Sequence, residues 1–165
     1  MRVVEYGLEL NLEGHPCLVG EKEVDCDSKD WTFNEIGIAK LLCEGFRLTY
    51  KAEEFVYVVA FSQSGRILGV FQLSHGVVSS ALVGKREIMI RLLLVGASCF
   101  AIAHNHPGGN VMPSDKDIDM YASVRAAGES MGIPLLDSII VGRDAEDCTR
   151  CYSIAREKTH KIVFS

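Results

Sequence analysis

The chain lacks any run of 18 or more apolar residues, so no helix formed from it is long and apolar enough to cross a bilayer. Its opening stretch, Met1 to Tyr6, carries Glu5 and has no apolar core of the kind a secretory signal needs. A basic surplus is also missing. The 17 Lys+Arg face 22 Asp+Glu, a formal net charge of −5. That balance disfavours direct nucleic-acid binding through a broad basic face. Internal repeats and low-complexity tracts are absent. Gly7, Gly14 and Gly20 are not part of a strand, Gly-rich loop and helix with Lys-Ser/Thr, so they form no phosphate-binding loop. Cys17, Cys26, Cys43, Cys99, Cys148 and Cys151 are scattered along a chain without an export signal. They read as reduced thiols of a cytoplasmic protein.

What is present is ordinary globular material. The hydrophobic fraction is 48% and the charged fraction 24% of 165 residues, enough to bury a core without staples. At about 100–200 residues per domain this is one domain, with room for a short extension. Residues 1–30 read as an N-terminal β-hairpin extension, turning at Gly14-His15-Pro16 and returning over Cys17 to Val24. Residues 31–165 read as the main domain. Thr32-Phe33-Asn34-Glu35 matches a Thr-x-x-Glu capping box and predicts a helix that stops at Gly45. Phe55 to Phe61 is apolar throughout and predicts a central strand covered on both faces. Ser62-Gln63-Ser64-Gly65 then turns the chain into an antiparallel partner, Ile67 to Ser74. Gly76 to Ser80 is left as strand or loop. Arg86 to Val95 predicts a buried helix ended by Gly96, and Ser98 to Ala103 a short buried strand. A helix over Ser114 to Met131 puts Ile118, Tyr121, Ala122, Val124, Arg125 and Ala126 on one face and ends at Gly132-Ile133-Pro134. Leu135 to Val141 and Cys151 to Ala155 complete the strands. The fold class is α/β, an α+β sandwich with a mixed sheet flanked by helices.

The informative stretch runs from Ala103 to Asp117, AHNHPGGNVMPSDKD. His104 and His106 lie two apart at the end of a predicted strand and so point to one side. Pro107-Gly108-Gly109 reverses the chain. Asp117 falls in the first turn of the next helix, where it can face back. Two nitrogen ligands and one oxygen ligand leave a fourth position open, the arrangement of a catalytic rather than a structural zinc site. Each residue alone has a bland account: a polar pair at a strand end, a Ser114 N-cap, an acid near the helix start. Together within 14 residues they need several coincidences. A hydrolase also needs a base. Glu53, Glu54 and Glu87 are the acids beside buried elements, and Glu54 stands at the mouth of the central strand. Ser114 is placed to donate a hydrogen bond to a developing oxyanion.

His104-x-His106-Pro107, ten intervening residues and Asp117, with Ser114-x-x-Asp117 inside, resembles the JAMM motif of MPN/JAB domains. The wider stretches LVGASCFAIAHNHPGGNVMPSDKDI, GIPLLDSIIVG and EEFVYVVAFSQSGRILGVFQLSHGVVSSALVGKREI are similar to the JAB domain of RadC-like proteins. The resemblance covers roughly Glu54 to Gly142. It implies a cytidine-deaminase-like mixed sheet flanked by helices and one Zn2+ per chain, held by His104, His106 and Asp117. Glu54 is implied as general base, with Glu53 the one-residue alternative, and Ser114 as the serine that steadies the tetrahedral intermediate. The implied activity is that of a zinc metallopeptidase whose zinc-bound water attacks a peptide or isopeptide carbonyl. The alternative is a non-proteolytic metal-binding module in DNA repair or mobile-element maintenance, with DNA-maintenance proteins as partners. The DNA-binding segment that precedes the domain in full-length RadC is not recognisable here. Lys85 stands where RadC-like proteins usually have a proline, outside the implied ligand set.

Other features read plainly. Cys148-x-x-Cys151 lacks the second pair a zinc ribbon needs and reads as hairpin cysteines. His75 reads as a turn histidine and not a fourth ligand. His15 and His160 read as solvated, Trp31 as a core or staple residue ahead of the first helix, and Lys158 to Lys161 as a solvent-facing basic tail.

Overall fold

The two most apolar runs of the chain lie side by side at the centre of one sheet. The structure is a computed structural model and describes residues 1–26, 31–75 and 84–164, with backbone alone at 74 and 75. In chain order the elements are β1 (Arg2–Leu10), β2 (Pro16–Asp25), α1 (Glu35–Gly45), β3 (Phe55–Phe61), β4 (Ile67–His75), α2 (Lys85–Val95), β5 (Cys99–Asn105), α3 (Asp115–Ser130), β6 (Leu135–Arg143), β7 (Thr149–Ser153) and β8 (Lys158–Lys161). A short 3-10 turn, Leu48–Tyr50, follows α1. Among the described residues the strands form one sheet in the order β2-β1-β4-β3-β5-β6-β7-β8. β1–β4 and β5–β6 pair in parallel, and the other neighbours are antiparallel. The sheet is mixed and flanked by helices, as expected. The hairpin β1–β2 joins it through β4, so the first residues extend the same sheet.

Side-chain alternation sorts the central strands onto two covered faces. Tyr57, Val59 and Phe61 of β3 and Ala101 and Ala103 of β5 pack with Ile38, Leu41 and Leu42 of α1 and with Leu48. Val56, Val58 and Ala60 of β3 and Phe100 and Ile102 of β5 pack with Ile88 and Leu92 of α2 and Met120 and Val124 of α3. Each fully buried Leu, Ile or Phe contributes about 1.5–3 kcal/mol relative to exposure. Trp31 stacks on Phe61 with ring centroids 6.2 Å apart and packs, half-buried, against the core.

Several local expectations need correction. The first helix is capped by Asn34, whose side chain accepts from Gly37 N, and not by Thr32. Thr32 Oγ1 instead donates to Asn34 Oδ1 at 3.0 Å, and the cap shifts because Asn is the stronger acceptor at the N-cap position. α2 is only half covered: Ile88, Met89 and Leu92 face the core, while Leu93 and Leu94 are exposed. α3 turns Asp117, Met120, Val124 and Gly128 inward and leaves Ile118 exposed, so its inner face is offset from the expected one. Lys158–Lys161 is an edge strand and not a tail. In it, His160 lies 3.1 Å from the buried carboxylate of Glu35, an ion-pair distance without hydrogen-bond alignment, so it is not simply solvated. Arg156 Nε also reaches Glu35 at 3.1 Å. The stretch from Gly76 to Ser80 and the side chain of His75 lie outside the described residues.

Candidate metal centre

β5 delivers the two histidines. Val56 of β3 stands directly opposite His104, so His104 lies on the face covered by α2 and α3. His106 follows one residue past the strand, and its N–H donates to Val141 O of β6 at 2.9 Å. The loop then turns through Pro107 and Gly108 to Gly109. Gly109 has φ +80°, and a Cβ there would sit 2.3 Å from the carbonyl oxygen of Arg143. Only glycine lets the loop pass this close to the end of β6.

α3 delivers the carboxylate. Asp117 begins the inward stripe that continues through Met120 and Val124, so the helix face that packs on the sheet also carries the acid to the strand end. Ser114 caps the helix. Its backbone N–H and its hydroxyl both donate to Asp117 Oδ2, at 2.7 and 2.6 Å, and Asp117 N–H donates back to Ser114 Oγ at 3.3 Å. This is a capping box with Asp as the reciprocating acid. It holds Oδ2 and leaves Oδ1 facing His104.

His104, His106 and Asp117 offer one ligand atom each within 4.8 Å of one another. The two Nε2 atoms are 3.2 Å apart, His104 Nε2 is 3.1 Å from Asp117 Oδ1, and His106 Nε2 is 3.6 Å from Asp117 Oδ2. Tetrahedral coordination with bonds of about 2.0–2.1 Å places ligand atoms about 3.3–3.4 Å apart. The separations are near those values, and two imidazoles with a carboxylate are a donor set that could hold a small divalent ion. His106 Nδ1 lies 2.7 Å from Asn110 O. A proton on Nδ1 satisfies that carbonyl and leaves the Nε2 lone pair free for a metal. His104 Nδ1 is buried without a partner among the described residues, so this ligand lacks the outer hydrogen bond that orients His106.

The electrostatics favour an ionised carboxylate beside basic rings. Burial pushes the Asp117 carboxyl up, but hydrogen bonds from His104, His106 and Ser114 outweigh it and hold the group well below the usual carboxylate range. The His106 imidazole is raised, first by its hydrogen bond to Asp117, with burial opposing and the Asn110 carbonyl and the Asp117 and Glu54 charges assisting. His104 and Asp117 are buried, whereas the His106 side chain keeps 18% of its surface open. Of the three side chains, that of His106 is the most open.

Glu54 is half-buried immediately before β3, and Glu53 is exposed. Strand alternation continued back from Val56 puts Glu54 on the His104 face and Glu53 on the other. Glu87 lies in the exposed first turn of α2 and its carbonyl accepts from Arg91. A groove of about 620 Å³ is lined by Arg47, Tyr50, Arg143, Asp147, Thr149 and neighbours. It contains none of the three ligands and meets their loop where Gly109 packs on Arg143. Both Arg47 and Arg143 lie over the Tyr50 ring, at 5.0 and 4.6 Å from its centroid. Sequence reasoning passed over Asn105 and Asn110. For Asn105 a signal existed: a polar residue continuing the inward series Ala101, Ala103 on a buried strand.

Comparison with known proteins agrees with this architecture. The chain spans about half or less of the length of the curated relatives it matches. A UPF0758 protein of Porphyromonas gingivalis is 38% identical over 97 residues, 59% of this chain and 43% of its own length. One from Trichormus variabilis is 36% identical over 95 residues, 58% of this chain and 39% of its own. One from Carboxydothermus hydrogenoformans is 32% identical over 127 residues, 77% of this chain and 53% of its own. The model of the RadC-like JAB domain matches residues 36–159, from the start of α1 into β8 and across the whole metal centre, and the chain belongs to that family.

Proposed function

We propose that this chain is a zinc-dependent hydrolase of the JAMM type that cleaves peptide or isopeptide bonds. The observation that carries the reading is the convergence of His104, His106 and Asp117, open on the His106 side, with Glu54 on the same face of the sheet as His104. A bound zinc ion would supply a water acidic near neutral pH and a Lewis acid for the carbonyl. Glu54 would be the residue that accepts a proton from the attacking water and returns it to the leaving amine, first as base and then as acid. Ser114 serves first through Asp117, since its hydroxyl hydrogen is held on Oδ2. To stabilise an oxyanion it must exchange that bond for one to the substrate. The acidic surplus of the chain points to a protein or peptide substrate and away from nucleic acid. All six cysteines are unpaired thiols, which suits a reducing cytoplasmic compartment.

The test is an unbiased peptide-library digest by zinc-loaded protein, wild type against Glu54→Gln. Cleavage by the wild type is expected, with a loss of about 10²-fold or more in the variant while it keeps its zinc. A wild type that holds zinc and cleaves nothing would move the chain to the alternative, a metal-bearing accessory module of DNA maintenance.

A further inference from the structure

Between the two histidines, Asn105 is only 1% exposed and points to the face opposite theirs. β3 and β5 pair from Phe61↔Cys99 to Val56↔His104, and there the backbone ladder ends. The Asn105 side chain carries the pairing further. Its Oδ1 accepts from Phe55 N–H at 2.8 Å, and its Nδ2 donates to Glu53 O at 3.0 Å and to Lys51 O at 3.4 Å. The acceptor and both amide protons are thus used on the segment that leads into β3. Two of these bonds fall on the peptide groups on either side of Glu54. The Glu53 carbonyl belongs to the peptide before it, and the Phe55 N–H to the peptide after it.

We propose that Asn105 is a positioning residue for Glu54, fixing the backbone that carries this carboxylate relative to the metal ligands. The inference rests on the hydrolase reading above. One strand end then sets both halves of the site. His104 and His106 project to one face, and the residue between them reaches through the sheet edge to clamp the base from the other. Asparagine suits the task because it presents an acceptor and a donor side by side, as a backbone strand would. Serine or alanine cannot bracket both peptides. Aspartate would put an oxygen against the Glu53 and Lys51 carbonyls.

The test uses the full chain loaded with zinc. In Asn105→Ala the Phe55 amide is expected to exchange about ten-fold faster or more, while core amides of β3 and zinc stoichiometry stay at wild-type level. Asn105→Leu keeps the branched shape without polar atoms and is the second variant if the alanine form is unstable. With a cleavable peptide, kcat is expected to fall on the order of 10²-fold at unchanged KM, as for a misplaced catalytic group. In the Glu54→Gln background the same change should cost nothing further, an outcome a general structural role would not produce. Unchanged Phe55 exchange would overturn the proposal, as would loss of zinc together with protection, or loss of the fold in both variants. If the wild type cleaves no peptide, the hydrolase reading fails on its own, and exchange and zinc content still decide whether Asn105 holds the Glu54 segment.

Discussion

Replacing Gly109 by alanine should damage the metal loop far more than the same change one residue earlier. Gly109 sits at φ +80°, where an L residue costs about 1–2 kcal/mol. Its new Cβ would also meet Arg143 O at 2.3 Å and Arg143 C at 3.1 Å, both backbone atoms that cannot swing aside. Forcing packed elements apart costs about 1–3 kcal/mol more. The sum is about 2–5 kcal/mol, a fall in Tm of about 4–20 °C for a chain of this size. A Cβ on Gly108 meets nothing within 4 Å, and its backbone is not left-handed. Gly108→Ala should therefore melt within about 4 °C of the wild type, and can be slightly stabilising through its effect on the unfolded chain. A second readout is metal affinity. Asn110, whose carbonyl meets His106 Nδ1, follows Gly109 directly, so a displaced loop should weaken metal binding about 10–100-fold. The assay is a thermal melt of both variants, followed by zinc titration. Equal melting temperatures for the two alanine variants would refute the reasoning.

Other outcomes follow from the same coordinates. Zinc at about 100 times its Kd should add about 2.7 kcal/mol to the wild type and raise its Tm by about 5–11 °C, and His104→Ala should show no such shift in a melt with and without metal. Burial pushes the Asp137 carboxyl up from its ordinary 3.8, with hydrogen bonds from Ser153, Ala155 and Ser138 opposing and the Glu35 charge assisting. A raised folded pKa means a contribution that is full below the unfolded value and lost as pH rises through the folded one. The Tm of Asp137→Asn relative to wild type should therefore be higher at pH 7 than at pH 4, and melts at the two pH values check the sign. Burial pushes the Cys43 and Cys151 thiols up to about 12. Native protein at pH 8 should thus be alkylated at Cys17 and Cys148 and spared at Cys43 and Cys151 until it is unfolded, which peptide mapping would reveal.

Local pattern carried much of the fold and the ligand set into plain view. A period of two puts His104 and His106 on one side, a proline and two glycines turn the chain, and a serine N-cap places Asp117 in a first turn. These are relations over a few residues, so spacing alone expresses them. The same holds for the apolar run of β3 and the Gly96 stop of α2. Composition did not decide between Glu53 and Glu54, because the choice depends on which face of β3 each residue meets. That face is defined by the pairing of Val56 with His104, 48 positions apart in sequence, and by α3 packing over it. Asn105 acts across a similar interval, on residues 50 to 54 positions before it. The His160–Glu35 approach needs β8 to return beside β7 and the start of α1 to lie near it. The amino-acid sequence by itself determined the three candidate ligand residues and the turn that gathers them, since neighbours along the chain dictate both. Only the tertiary structure decided that Glu54 shares a face with His104 and that Asn105 bonds to the peptides on either side of it, since strand register is a property of packed faces and not of any local run.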